Sequence, residues 1–365
     1  MKIGVPKEIA PNERRVALTP DVGGRLTKGG FEAFIERGAG SAAFFPDEAY
    51  SAAGVKVSDR SSVLGQSDIV LQVHAPVAAE LAQYREGGAL VAFFQPGAEL
   101  LRQLAQRKLT AFSLVLLPRI TRAQPMDVLS SQATVAGYKA VLLAASTAPR
   151  LLPMLVTAAG TLFAARVLVL GAGVAGLQAI ATARRLGAIV SAFDVRPAVK
   201  EQVQSLGASF LEMAIEEHAE TAGGYAKELS EETHRKELAF LAGAVKDADI
   251  VISTAAIPGK KAPILITAAA VQGMKPGSLI VDLAAETGGN CELTEPGSEI
   301  VRNGVSILGP LNLPSSVPLH ASQMYAKNVA AFLGHIVQDG KLRLDFEDQI
   351  IRDTCVTHAG EVRKS

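Results

Sequence analysis

The chain has 365 residues, enough for two domains that each bury a core, which excludes a disulfide-stapled miniprotein and a disordered tail. Lys plus Arg and Asp plus Glu are equal at 36 each and no charged run closes either end, so no basic field draws in a phosphate backbone and no nucleic acid is expected as a partner. Two widely separated cysteines, six scattered histidines and no tryptophan leave no metal-ligand spacing and no aromatic stacking platform.

Met1 to Lys7 leads directly into a strand, with no apolar leader or small-residue cleavage site, so a cytoplasmic location is expected. In the first third, short runs rich in Val, Ile, Leu and Phe at 2–5, 32–36, 68–73, 89–93 and 110–116 read as strands, with helical patterns such as 99–107 between them. A polar stretch follows at 118–132. It opens a helix expected over 125–146, with Pro125 in the first turn, where its missing N–H costs nothing. Asp127, Ser130, Ser131 and Thr134 then fall at i, i+3, i+4 and i+7, a polar stripe on one face. Two readings stay open: Asp127 caps the helix and the hydroxyls face water, or Arg119, Gln124, Asp127 and Ser130 converge on a carboxamide and a ribose, which need both donors and acceptors. The apolar stretch 140–183 is divided by Pro149, Arg150, Pro153 and Arg166; the pieces before Arg166 are shorter than the roughly 18 to 20 residues a bilayer requires and the piece after it holds a glycine-rich turn, so no membrane span is expected.

The middle strands are expected at 166–170, 189–193, 209–212, 249–253, 278–282 and 305–308. The first runs into Gly171-Ala172-Gly173-Val174-Ala175-Gly176 and a helical pattern, and the second ends at Asp194, close to the ~20-residue spacing of a dinucleotide fingerprint. Gly171 permits the tight turn, Gly173 lets the backbone approach a pyrophosphate, and Gly176 allows helix and strand to pack closely; the alternative is a glycine turn with no ligand. Asp194 should accept from both adenosine ribose hydroxyls and repel a 2′-phosphate, selecting NAD(H), while Arg196 two residues on pulls the other way. Charge crowds at 212–237 around Gly223-Gly224-Tyr225, either a connector or a lid. A second long helix at 321–338 precedes a tail too small to fold alone, with apolar residues at 342–344 and 350–351. The rhythm is α/β: two Rossmann-like domains with parallel sheets, joined by long helices, the first discontinuous (1–125 with 322–365) and the second at 126–321, with a cleft between them.

The stretch 119–132 with Gly137-Tyr138, together with Gly223-Gly224-Tyr225-Ala226-Lys227, Ile257-Pro258-Gly259-Lys260, Asp282-Leu283-Ala284-Ala285, Gly288-Gly289-Asn290-Cys291-Glu292 and Asn312-Leu313-Pro314-Ser315, resembles the NAD(H)-binding component (domain I, alpha subunit) of proton-translocating nicotinamide nucleotide transhydrogenase. Val5-Pro6-Lys7-Glu8 and the segment from Glu13 to Pro20 are shared with alanine dehydrogenase and mark the wider superfamily. The resemblance implies that Arg119, Gln124, Asp127 and Ser130 hold the nicotinamide and its ribose. The rest of the dinucleotide falls to Gly171, Gly173, Val174, Gly176, Asp194, Val195, Arg196, Gly224, Tyr225 and Ala256, with Tyr225 on a mobile loop. It also implies a homodimer that passes hydride from NADH to NADP⁺, with NADP(H) held on a partner subunit. That partner belongs to a membrane-embedded proton channel, to which the chain attaches peripherally. Pro125, where a small polar residue is usual, and Ala256, where a leucine is usual, depart from the pattern.

Where alanine dehydrogenases are expected to carry a substrate lysine and a catalytic histidine, this chain has His74 and Gln95. Oxidising an amino acid needs a base for the departing proton, which glutamine cannot be; exchanging hydride between two nicotinamides needs none. His74 is then either a locally bonded strand-end histidine or a catalytic one. Two rivals remain: an alanine-dehydrogenase-like amino acid oxidoreductase, and a noncatalytic NAD(H)-binding regulatory module.

Overall fold

The computed structural model describes residues 1–213, 230–256 and 260–363. The chain divides into two compact units, Met1–Gln132 with Pro314–Ser365, and Ala133–Leu313.

The first unit is built on an eight-stranded sheet. Its six parallel strands, in spatial order, are Lys56–Ser58, Glu32–Glu36, Lys2–Val5, Ile69–Leu71, Ala89–Ala92 and Thr110–Ser113, and the tail adds Cys355–His358 and Glu361–Val362 antiparallel at the edge. Numbered in chain order, the parallel strands run 3-2-1-4-5-6, so the winding reverses between Lys2–Val5 and Ile69–Leu71. Ile3, Val5, Ile35, Ile69, Leu71 and Phe112 form one face of the core, and helix Pro318–Ile336 closes it with Tyr325, Val329, Phe332 and Ile336. Phe112 and Phe332 meet edge to face at 5.3 Å.

The second unit repeats the winding. Ser209–Phe210, Ile189–Phe193, Arg166–Leu170, Ile250–Ser253, Leu279–Asp282 and Val305–Leu308 are parallel neighbours, Glu299–Arg302 pairs antiparallel at the far edge, and the reversal lies between Arg166–Leu170 and Ile250–Ser253. Along Arg166–Leu170, Val167 and Val169 enter one apolar cluster, Leu168 and Leu170 the other, so both faces are covered, as a parallel sheet requires.

Several sequence expectations need correction. The strand expected over 110–116 ends at Ser113 and tightens into a 3-10 turn, Leu114–Leu116. Pro125 is not in the first turn of the long helix: it sits within a 3-10 turn, Thr121–Met126, and the helix is Val128–Thr147. That helix has 20 residues and begins before the 140–183 stretch weighed above; by length and composition alone it is long and apolar enough to cross a membrane. Here it buries Val135, Ala140, Val141 and Ala144 as a core helix. A hairpin, Leu155–Thr157 with Gly160–Leu162, was not anticipated at all.

Candidate functional site

Strand Arg166–Leu170 ends at the winding reversal, and Gly171 turns the chain there with φ of 91°, a conformation open to glycine. A Cβ on Gly171 would meet Thr254, and one on Gly176 would lie 1.9 Å from the Gly171 carbonyl oxygen, so both positions demand glycine for packing. Gly173 differs, because a Cβ there would meet nothing within 4 Å. Gly173 precedes helix Val174–Arg185, whose first N–H groups have no side-chain cap. An uncapped helix start beside open space, at a topological switch point, fits the pyrophosphate of a dinucleotide.

From across the reversal, the Thr254 hydroxyl donates to the Gly171 carbonyl at 3.0 Å. Asn290 grips the same loop, accepting from the Ala255 N–H and donating to the Ala255 carbonyl. Asp282, fully buried at the end of its strand, accepts from the Ser253 and Thr294 hydroxyls and from the N–H groups of Ala284, Asn290 and Cys291. Spacing alone did not single out Thr254, Asp282 and Asn290; an acidic residue at a strand end beside the reversal was the available signal. Ala256 is exposed, whereas Gly224, Tyr225 and the 257–259 segment lie outside the described residues.

Asp194, at the end of the neighbouring strand, is nearly buried, and its four acceptor sites are filled. Oδ2 accepts from the Ala172 N–H at 2.7 Å and from Arg196 Nη2 at 2.8 Å; Oδ1 accepts from the Arg196 N–H and Nε, each at 2.9 Å. Arg196 thus lies folded back on the carboxylate expected to bind the ribose, with Val195 half-buried between them in sequence. Val174 begins the fingerprint helix and is half-buried.

In the first unit, Arg119, Gln124, Asp127 and Ser130 line one pocket of about 410 Å³, with Pro118 and Thr121 among its other walls. Arg119 and Gln124 are exposed; Asp127 and Ser130 are half-buried. The polar stripe divides, however. Asp127 precedes the helix and caps it, accepting from the Ser130 N–H at 2.9 Å and the Ser130 hydroxyl at 2.5 Å. Ser131 is buried and donates to the Val128 carbonyl, so it does not share the pocket face. Capping and pocket lining are both true of Asp127. A guanidinium, a primary amide, a carboxylate and a hydroxyl together offer the donors and acceptors a carboxamide needs, and none of the four is a general base of the histidine kind.

The first sheet's reversal is closed by its own side chains. Glu8 accepts from the Val73 N–H at 2.6 Å and the His74 N–H at 3.2 Å, and burial pushes its carboxyl up to about 7. Glu13 binds Arg15 through both oxygens at 2.9 and 2.7 Å and also meets His74 Nε2 at 2.6 Å, while Arg15 donates to Gln132 at 2.9 Å. His74 is therefore locally bonded, and Gln95 is exposed. Burial raises the thiols of Cys291 and Cys355 to about 11, which keeps both protonated and unsuited to attack. Among the described residues no cluster of His, Cys, Asp and Glu could hold a metal.

Comparison with known proteins gives the family and the fold. The family described as alanine dehydrogenase/PNT matches twice, its N-terminal domain over residues 4–136 and its C-terminal domain over residues 140–365. The chain is 48% identical to the first portion of NAD(P) transhydrogenase subunit alpha from Rhodospirillum rubrum, over 99% of this chain and 97% of that protein. The structure of a transhydrogenase from Sinorhizobium meliloti superposes with a TM-score of 0.90 at 45% identity, over 99% of this chain and all of the other. An L-alanine dehydrogenase structure gives a TM-score of 0.81 at 28% identity, covering 99% of this chain and 96% of that one.

Proposed function

Because this chain belongs to the alanine dehydrogenase/PNT family and is similar end to end to transhydrogenase alpha subunits, we propose that it binds NAD(H) and passes hydride directly between NADH and NADP⁺ held on a partner subunit. The observation that carries this reading is the pocket at Arg119, Gln124, Asp127 and Ser130, which offers a carboxamide its donors and acceptors and holds no histidine. Hydride moves from C4 of one nicotinamide to C4 of the other, giving NAD⁺ and NADPH with no proton released. The chain's work is therefore orientation and exclusion of water. Arg119 and Gln124 would bind the carboxamide, and Asp127 and Ser130 the adjoining ribose. The Gly171–Gly176 turn would hold the pyrophosphate, and Asp194 the adenosine ribose once Arg196 swings away, with Val174, Val195 and Ala256 beside it. Gly224 and Tyr225, outside the described residues, complete the set in this proposal.

The first sheet supports the same choice over the amino acid oxidoreductase: where a substrate lysine and a catalytic histidine would be expected, the chain has His74, paired with Glu13, and an exposed Gln95. In this reading NADP(H) sits on a partner that belongs to a membrane proton channel, the chain attaches to the membrane peripherally through that partner, and the alpha chains pair as a homodimer. The exposed apolar hairpin Leu155–Thr157/Gly160–Leu162 supports the homodimer, since a two-stranded ribbon left in water is marginal. The decisive experiment combines NADH deuterated at C4 with NADP⁺ and the NADP(H)-binding subunit. Deuterium should arrive in NADPH undiluted by solvent. Consumption of NADH by pyruvate and ammonia with this chain alone would replace the reading by the dehydrogenase one, and NADH binding without transfer under any partner condition by the regulatory one. Asp127→Asn, which keeps a good helix cap, should slow transfer about tenfold while leaving the melting temperature near wild type.

A further inference from the structure

The turn Thr121–Met126 has a pocket side, described above, and an outer side held by the C-terminal segment. On that outer side Arg122 makes a two-pronged ion pair with Asp348, Nη1 to Oδ2 at 2.6 Å and Nη2 to Oδ1 at 3.1 Å. Asp348 also caps helix Gln349–Thr354 by accepting from the Ile350 N–H at 2.7 Å, and His335 Nε2 stands 3.4 Å from Oδ2. At the middle of the turn, Asn328 Nδ2 donates to the Pro125 carbonyl at 2.8 Å. Pro125 has a fixed φ and no N–H, so the direction of its carbonyl is the chief freedom left to the backbone just before Asp127.

Neither contact is well suited to adding stability. The Arg122 side chain is 54% exposed, and ion pairs in that setting contribute little, although a forked geometry does fix orientation. Asn328 is nine-tenths buried, yet its Oδ1 has no hydrogen-bond partner among the described residues, an arrangement that costs stability. Two tethers that stabilise weakly but orient strongly meet the same six-residue turn. We propose that Asn328 and Asp348 are positioning residues that aim Gln124 and Asp127 at the nicotinamide by holding the outer side of this turn. The inference rests on the reading of the pocket given above.

Three variants separate orientation from folding. Arg122→Gln removes the fork at an exposed position, Asp348→Asn removes the charge but keeps a good helix cap, and Asn328→Leu removes the buried, half-satisfied amide at similar volume. Hydride transfer to NADP⁺ on the partner subunit, the affinity for NADH, and the affinity for ADP, which lacks nicotinamide, are measured for each. Transfer should slow about tenfold in every variant that folds, with ADP affinity unchanged and melting temperatures near or above wild type. Arg122→Gln combined with Asp348→Asn should lose no more than either alone, since both break one contact. If Asn328→Leu does not fold, the Arg122 and Asp348 variants carry the test. Transfer at the wild-type rate in the folded variants overturns the proposal, as does a loss of ADP affinity equal to the loss of transfer. A wild-type chain that transfers no hydride overturns instead the reading of the pocket on which it rests.

Discussion

At Gly173 the backbone lies at φ −73°, ordinary for any residue, and a Cβ there would project into open space. Gly173→Ala should therefore leave the melting temperature unchanged yet lose most NADH affinity, because the methyl would occupy the approach of the pyrophosphate. Gly176→Ala is the contrast: its Cβ would strike the Gly171 carbonyl, so the fold should lose about 1–3 kcal/mol whether or not NADH is present. Thermal melts beside NADH titrations distinguish the two, and a Gly173→Ala chain that binds normally would show that no phosphate comes near. Asp194 poses a different problem, since Arg196 supplies three of its four hydrogen bonds. In the binding mode proposed above, the ribose would displace the guanidinium, and the displaced cation would lie beside the 2′ position and temper repulsion of a 2′-phosphate. Arg196→Ala should thus widen the preference for NADH over NADPH by about threefold to tenfold. A ratio of dissociation constants equal to or smaller than wild type would mean that Arg196 does not stand near that hydroxyl. The sequence made both residues visible but not their pairing, because a two-residue spacing says nothing about which way a guanidinium folds.

Among the elements, the legible ones were those whose pattern is local. Strands such as Lys2–Val5, Glu32–Glu36 and Arg166–Leu170 are short apolar runs between turn residues, and the fingerprint helix starts at Val174, directly after the second glycine. The tail strand Cys355–His358 was not legible, since it is defined by pairing with Thr110–Ser113 from the other end of the chain. Nor was the start of the long helix, where Asp127 caps from outside and Pro125 belongs to a tighter turn. The hairpin Leu155–Thr157/Gly160–Leu162 was hidden in an apolar stretch weighed only as a membrane span, and Val156 is 74% and neighbouring Phe163 84% exposed. If the chains pair as proposed above, replacing these two by Val156→Lys and Phe163→Ser should leave the chain folded and, by sedimentation, lower its mass to that of a monomer. An unchanged mass would assign the hairpin no part in self-association.

Over the whole molecule, the two sheets are wound in the same order, and the difference between them lies at the reversal. The second places a glycine turn there; the first places Pro6-Lys7-Glu8, and the Glu8 carboxylate bonds back to the N–H groups of Val73 and His74 across the gap. The alternating runs made both sheets legible, whereas the closing of one crevice depended on side chains from three separate segments, which no spacing reveals. Closure has a cost that pH should expose. Burial is the chief reason the Glu8 carboxyl is raised from 4.5 to about 7, the neighbouring Glu13 raises it further, and the two N–H groups and His74 pull it down. Between pH 4.5 and 7 the folded chain holds a proton at Glu8 that the unfolded chain has released, so this residue's contribution is full below that window and falls as pH rises through it. The loss amounts to about 3 kcal/mol, and it levels off above pH 7, where Glu8 is ionised in both states. Glu8→Gln carries no titrating group, so urea melts across pH 4.5 to 8 should show the wild type losing stability relative to the variant over that window, whatever the offset between them. Parallel curves would mean that Glu8 is already ionised at pH 5 and that the crevice admits enough water to solvate it.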